Sequence, residues 1–177
     1  MGDPASTPIA TTTAAAGGRV HGRYPARVVD NDDPKGLCRI RAIVPEILGD
    51  QETGWCRAAL PYAGAGVGFA GVPPVDSVVL VEWPGGDVGR EPIWSGASWS
   101  DGTGLDGAGP DAVLLVTPAG NRIELRDTSG GEQVVIESST GATVTMDSNG
   151  LLLTFGSQKI AMTNQSVSVN DGALEVR

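Results

Sequence analysis

Apolar residues recur two positions apart through the last third of the chain, and a turn rich in Gly, Ser, Asn or Asp separates most pairs from the next. A spacing of two places both side chains of a pair on the same face of a β-strand. The pattern therefore predicts seven short strands, each with two residues suited to a core. The pairs are Ile123/Leu125, Val134/Ile136, Val144/Met146, Leu151/Leu153, Ile160/Met162, Val167/Val169 and Leu174/Val176.

Two inward side chains per strand are too few for a sheet that one chain must cover by itself. The short period, with a Gly or Asn corner after each strand, favours a solenoid-like winding. Three chains wound around a common axis would bury six apolar side chains in each layer instead of two. The paired residues are therefore the predicted core of a trimer. On periodicity alone, a monomeric β-sandwich and a single-chain right-handed β-helix are the alternatives.

Residues 19–100 show a second pattern, with five strand-like stretches separated by turns. Five short strands in about 80 residues fit a small closed barrel of the OB type, because closure removes exposed sheet edges. The fourth stretch is almost continuously apolar, which predicts burial on both faces. The glycine-laden segment 62–76 is expected to be an irregular loop. The stretches are RYPARVVD, LCRIRAIVP, TGWCRAALP, SVVLVEWPGGD and EPIWSGASWS.

These patterns divide the chain into four parts. Residues 1–18 are rich in Thr, Ala, Pro and Gly and are predicted to be a flexible arm. Residues 19–100 are the OB-fold domain, and residues 101–112 are a Gly-rich linker. Residues 113–177 are predicted to form the trimeric winding of short strands. The predicted fold class is all-β: an N-terminal OB-fold barrel followed by an intertwined homotrimeric β-helix in the form of a triangular prism.

Composition narrows the range of partners. The formal net charge is −9, so an acidic surface would repel nucleic acid and anionic membranes. Trp83, Trp94 and Trp99 fall in strand-like stretches rather than in a basic groove, which argues against a nucleic-acid-binding OB domain. The sequence starts without a basic segment or a hydrophobic block, so no secretory signal is predicted.

Candidate chemistry is sparse. Asp30, Asp32 and Asp33 lie in a predicted turn, where carboxylates commonly cap backbone amides in contact with solvent. His21 is the single histidine, so no Ser–His–Asp set can be assembled around a second one. Cys38 and Cys56 are interpreted as reduced core residues. We therefore expect no catalytic residues, no metal site and no cofactor.

The order and spacing of several short motifs resemble the OB-fold domain of central spike proteins of contractile injection machines, including phage baseplate spikes and VgrG proteins of type VI secretion. The motifs are VVDNDDPKG (28–36), WCR (55–57), PYAG (61–64), VPPVDSVVLVE (72–82), GGD (85–87) and PIWSG (92–96). The segment TPAGNRIELRD (117–127) is similar to the start of that family's trimeric β-helix. The likeness covers residues 19–177.

This resemblance implies a homotrimeric needle without catalysis at the centre of a baseplate. Hub, baseplate and tube proteins would contact the OB end, and the β-helix would be driven through the envelope of a target cell. A cone-shaped PAAR-type protein would cap the other end, because no histidine follows residue 21 to build an iron-binding apex. Particles of this kind would assemble in the bacterial cytoplasm. The expected cap contacts are Ala173, Leu174, Glu175, Val176 and Arg177.

Two other functions are compatible with the same patterns. A trimeric β-helical tail fibre or adhesin could bind a surface carbohydrate, although no large receptor-binding head is visible in the sequence. A baseplate-associated peptidoglycan hydrolase would need a catalytic fold, and the linker at 101–112 leaves no room for one.

Overall fold

A computed structural model of the protein describes residues 19–176. The predicted arm at 1–18 and the last predicted cap residue, Arg177, lie outside this range. The chain divides into two compact units, Met1–Gly102 and Thr103–Arg177. Across residues 19–176, no helix combines the length and the apolar character that crossing a membrane would need.

The N-terminal unit is built on a five-stranded curled sheet in the order β2-β1-β6-β7-β3. Register shifts leave one extra residue in β1, between Val28 and Asp30, and one in β7, opposite the step from Val79 to Leu80, and these bulges bend both strands. The elements are β1 (Tyr24–Asp30), β2 (Arg41–Ile43), α1 (Pro45–Leu48), β3 (Arg57–Ala58), β4 (Ala63–Gly64), β5 (Val67–Gly68), β6 (Val78–Glu82), a 3-10 turn (Pro84–Gly86) and β7 (Ile93–Ser98).

A pair of backbone hydrogen bonds joins the two ends of this sheet. The Ile40 amide donates to the Cys56 carbonyl at 3.3 Å, and the Cys56 amide donates to the Ile40 carbonyl at 2.7 Å. This bridge connects the start of β2 to the start of β3, so the curled sheet closes as an OB-type barrel does. Its interior is small and aliphatic, with two tryptophans at its margin: Val28, Ile40, Ala42, Val44, Cys56, Val79, Val81, Trp83 and Trp94 are buried.

Several local predictions for this unit were wrong. Cys38 has a positive φ of 58°, which interrupts the predicted strand 37–45, so that β2 begins only at Arg41. Strand β6 buries Val79 and Val81 fully, but its other face is only half-buried. Trp99, expected in a strand core, is 64% exposed. The segment expected to be irregular contains the small hairpin β4–β5.

The C-terminal unit contains a single eight-stranded sheet. Each strand pairs antiparallel with the next strand in sequence, so the chain forms a meander. No second layer packs on this sheet within the described part of the unit. The strands are β8 (Ala112–Val116), β9 (Arg122–Arg126), β10 (Gln133–Glu137), β11 (Ala142–Asp147), β12 (Gly150–Phe155), β13 (Gln158–Met162), β14 (Val167–Val169) and β15 (Leu174–Val176).

Gly150 shows how closely neighbouring strands approach in this sheet. Its φ is 132°, and a Cβ atom at this position would overlap the carbonyl oxygen of Met162 on β13. Any side chain here would have to push β12 away from β13. Glycine is therefore required at the β11–β12 turn, which has only two residues between the paired ends Asp147 and Gly150.

Candidate functional site

Two columns of apolar side chains run the full height of the C-terminal sheet on one face. Residues directly opposite each other in antiparallel strands share a face, and the pairing is continuous from β8 to β15. The first column is Leu115, Ile123, Ile136, Val144, Leu153, Ile160, Val169 and Leu174. The second column is Val113, Leu125, Val134, Met146, Leu151, Met162, Val167 and Val176.

This face, which we call the two-column face, is uncovered in the single chain. None of its side chains is buried, and Leu125 and Ile136 are 45% and 44% exposed. The interior of the N-terminal unit differs sharply, since Val28, Val79 and Val81 are completely buried there. A continuous apolar surface of this extent marks an interface rather than an ordinary protein surface.

The fourteen residues predicted from the sequence as a trimer core all lie on the two-column face. Val113 and Leu115 also belong to it, and sequence reasoning missed them. They are two apart like the other pairs, but the run of apolar residues at 112–116 hides the alternation. The strand that carries them, β8, is an eighth strand where seven were predicted.

The opposite face of the sheet is mixed in character. Its central positions include the apolar residues Val135 and Leu152, but the polar residue Thr145 lies between them. Ser168 is a polar residue farther along the same row, and a charged cluster occupies β9. Only the two-column face is apolar in every layer. The sheet therefore has one face suited to burial against other protein and one suited to partial contact with water.

The charged cluster on β9 is held by Glu124, whose side chain is 8% exposed. One carboxylate oxygen accepts from Arg122 at 2.6 Å, and the other accepts from Arg126 Nε at 2.6 Å. The guanidinium groups, Arg122 foremost, hold the pKa of this carboxyl below its usual value. The backbone of Gly107 lies close to both guanidinium groups, so the segment before β8 packs over the cluster. This cluster has a structural role.

The last hairpin carries four of the five predicted cap contacts, residues 173–176. Asn170 and Asp171, in the turn between β14 and β15, have φ values of 47° and 57°, which are unusual for residues other than glycine. The Asn170 side chain stabilises this turn by accepting a hydrogen bond from the Lys159 amide at 2.9 Å. Beyond the turn, Leu174 and Val176 are 62% and 61% exposed on β15, which is the last strand of the sheet.

Among the carboxylates of the predicted turn at residues 30–33, Asp30 caps a backbone amide and Asp32 is exposed, as expected, but Asp33 has a different environment. Asp33 is not solvated: its side chain is only 4% exposed and pairs with Arg39 at 2.5 Å. It also accepts hydrogen bonds from the amides of Lys35, Leu37 and Arg39. The Arg39 guanidinium holds the pKa of Asp33 well below its usual range. Asp33 therefore fixes the loop that leads into β2.

The histidine and the two cysteines form no candidate site in the structure. His21 is exposed, and its carbonyl oxygen accepts a hydrogen bond from the Tyr24 hydroxyl at 2.9 Å. Cys56 is buried and Cys38 is half-buried, and both thiols are free. Within residues 19–176, no three His, Cys, Asp or Glu side chains are grouped so that they could hold a metal ion.

Two family models match the chain. Residues 24–99 match the model described as the type VI secretion system/phage-baseplate injector OB domain. Residues 112–175 match the model described as the phage baseplate V C-terminal trimerisation domain. No individually curated protein matches the sequence. The second range begins at the first residue of β8 and extends into β15, so every residue of the two-column face except Val176 lies within the match to a trimerisation domain.

Proposed function

Because the chain belongs to the phage baseplate V family of VgrG-like spike proteins, we propose that it forms the central puncturing spike of a contractile injection machine. The family assigns it a structural role in the baseplate of a phage tail-like particle, as a homotrimer joined through its C-terminal domain. We further propose that the trimer punctures the target envelope, that its tip binds a partner protein and that it has no catalytic activity.

The observation that carries this proposal is the two-column face. If three copies turn these faces toward a common axis, each layer contains six apolar side chains and excludes water. Strands lie about 4.8 Å apart, so eight strands give a rod roughly 34 Å long between the first and the last. Such a prism is stiff, because every layer is hydrogen-bonded to the next along each face. Stiffness under axial load is what a puncturing device needs.

The proposed trimer core comprises the fourteen residues predicted from the sequence together with Val113 and Leu115. The proposed cap contacts are Ala173, Leu174, Glu175, Val176 and Arg177. Exposed Leu174 and Val176 would present three copies of an apolar pair to a PAAR-type cone protein. Hub and tube proteins would contact the OB units. Assembly would take place in the bacterial cytoplasm before the particle acts on a target envelope.

The environments of two carboxylates support the proposed lack of catalysis. The two carboxyls with the clearest structural roles, Asp33 and Glu124, are neutralised by arginines and fix a loop and a strand. A general acid or base needs access to a substrate and a pKa near the working pH, and neither group meets these conditions. Zymography of the purified trimer on peptidoglycan is expected to show no cleared band. A cleared band that copurifies with the trimer would establish the hydrolase alternative.

Light scattering on the purified full chain tests the central claim. One chain has a mass of 18.1 kDa, so a trimer has three times that, about 54 kDa. We expect this mass at every concentration at which the protein is folded. A folded species at the mass of one chain would refute the proposal.

A second experiment tests the tip. Substitution of both Leu174 and Val176 by Asp should leave the trimer intact, because these residues form only its last layer. We expect it to abolish capture of a PAAR-type cone protein, and particles that contain the variant should contract but release less potassium from target cells. Equal potassium release per contracted particle would refute puncturing by this end.

A further inference from the structure

The segment 58–75 of the OB unit is unusual because it contains no charged residue. It is the longest such run in a chain in which 19% of the residues are charged. It is also exposed: Tyr62, Val67 and Phe69 are 61%, 67% and 49% exposed. A long exposed segment with several large apolar side chains and no charge is typical of a surface that binds another protein.

The tip of this segment has a defined conformation. Strands β4 and β5 pair antiparallel, and the φ of 73° at Gly66 allows the tight turn between them. The Phe69 amide donates to the Tyr62 carbonyl at 3.1 Å and closes the base of the hairpin. Val67 projects from this hairpin as its most exposed apolar side chain. The hairpin is thus a small, preformed apolar projection.

An apolar groove of about 580 Å³ lies on the same unit. The residues at the two ends of the uncharged segment form one side of it, and strand β7 forms the other. Ala97 on β7 is exposed to the groove and offers no side chain beyond its Cβ atom. The lining includes Leu60, Pro61, Phe69, Val72, Trp94 and Ala97.

A projection and a groove on one subunit are what a cyclic trimer requires, because neighbours around a threefold axis make head-to-tail contacts between two different surfaces. The trimerisation domain tethers three OB units to one assembly, which raises their effective concentration for one another. Each chain carries a net charge of −9, so copies approach most easily where no charge is present. These three arguments favour a second copy of this chain as the occupant.

We propose that the β4–β5 hairpin of each copy docks in the groove beside β7 of the next copy around the threefold axis. The three OB units would then form a closed ring. This inference rests on the proposed trimer and goes beyond it, because the C-terminal domain could trimerise while the OB units stayed apart.

Disulfide trapping in mixed trimers tests the contact. Two full-length chains are co-expressed, one with Val67→Cys and one with Ala97→Cys, both in a Cys38→Ser background. The purified trimer is oxidised with copper phenanthroline and separated on a non-reducing denaturing gel. With equal expression, about three quarters of the trimers are mixed, and each has one hairpin with Val67→Cys facing one groove with Ala97→Cys. We therefore expect about half of all chains to run as covalent dimers.

Two controls make the result specific. Pairing Glu46→Cys, at an exposed position on α1, with Ala97→Cys should give no more dimer than the Cys38→Ser background. Val67→Cys expressed alone should also stay monomeric on the gel. The inference is overturned if the test pair gives no more dimer than the Glu46→Cys pair while light scattering still reports a trimer. Dimers from Val67→Cys alone would also overturn it, since the hairpins would then meet one another. A monomeric chain in light scattering would instead refute the proposed trimer itself.

Discussion

Leu152 and Leu153 provide a matched pair for testing which face of the sheet is buried in the trimer. They are neighbours on β12, and each is 37% exposed in the single chain. Because side chains alternate along a strand, Leu153 lies on the two-column face and Leu152 lies on the opposite face. Replacing each by Ala removes the same atoms from the same strand. Only Leu153→Ala should weaken contacts between chains.

The size of the difference follows from these exposures. Leu→Ala removes three carbon atoms, worth about 0.8 kcal/mol each when fully buried, or about 2.4 kcal/mol in all. The contacts within one chain already bury the same fraction of both residues. In the proposed trimer, the 37% of Leu153 that is left exposed would be covered only by partner chains, which gives about 0.9 kcal/mol per chain and about 2.7 kcal/mol per trimer. This corresponds to about a hundredfold change in the association constant.

Sedimentation equilibrium over a range of protein concentrations measures this association constant directly, and guanidinium unfolding at several concentrations gives an independent value. We expect the Leu153→Ala trimer to dissociate at a concentration several-fold higher than the Leu152→Ala trimer does. The incomplete collapse of the cavity in the prism should increase the effect further.

Equal association constants for the two variants would refute the assignment of the two-column face to the trimer interior. A larger effect from Leu152→Ala would place the opposite face at the axis instead. Unchanged m-values in the guanidinium experiment would show that the comparison is between similar unfolding transitions.

Three further outcomes follow from the ionisable and thiol groups. Asp33→Asn should lower the unfolding temperature at pH 7, as measured by calorimetry. The difference from wild type should shrink as the pH falls below about 4, because the ionised Asp33 carboxylate, whose pKa is lowered in the folded state, stabilises the fold and this stabilisation is lost on protonation. Glu124→Gln should behave likewise for the C-terminal sheet, whose secondary structure can be followed by circular dichroism between pH 7 and pH 3. Burial raises the pKa of Cys56 to about 11, so iodoacetamide at pH 8 should label Cys38 in the native protein and Cys56 only after unfolding, as measured by mass spectrometry.

Each of these outcomes has a contrary result. A constant difference between wild type and Asp33→Asn down to pH 2 would mean that the loss of stability does not come from the ionised carboxylate. An unchanged acid response in Glu124→Gln would assign no stabilising role to the arginine pairs. Native labelling of Cys56 at the same rate as Cys38 would show that the barrel opens readily.

The C-terminal sheet was predictable because its stabilising interactions repeat. Each strand needs two apolar residues two apart, and this local signal survives in the pairs from Ile123 to Val176. The connectivity of the strands could not be predicted from the sequence. An antiparallel meander and a solenoid-like winding would place the same residues inward. Only the pairing of consecutive strands distinguishes them, as in the antiparallel register that sets Leu151 opposite Met162. The pairs therefore identify the face but not the connection.

The N-terminal unit was predictable as a barrel but not in its details. Cys38 has a positive φ and lies between Leu37 and Arg39, whose backbone amides both donate hydrogen bonds to the Asp33 carboxylate. This side-chain network is not included in strand propensity and overrides it. The same network buries Asp33, which a turn motif would place in solvent. Trp99 is apolar by type yet exposed, and its position five residues after the buried Trp94 and just beyond the end of β7 gives no sequence signal of the difference.

The strictly sequential pairing of β8 to β15 also fixes how the reach of the rod can change during evolution. Every strand crosses its face in the direction opposite to the one before it. Gain or loss of one hairpin would alter the length by about 10 Å and leave the chain end at the same margin. Gain or loss of one strand would move that end to the other margin and displace the surface offered to a cap. The length of the proposed spike can therefore change in steps of one hairpin without moving the surface that binds the cap.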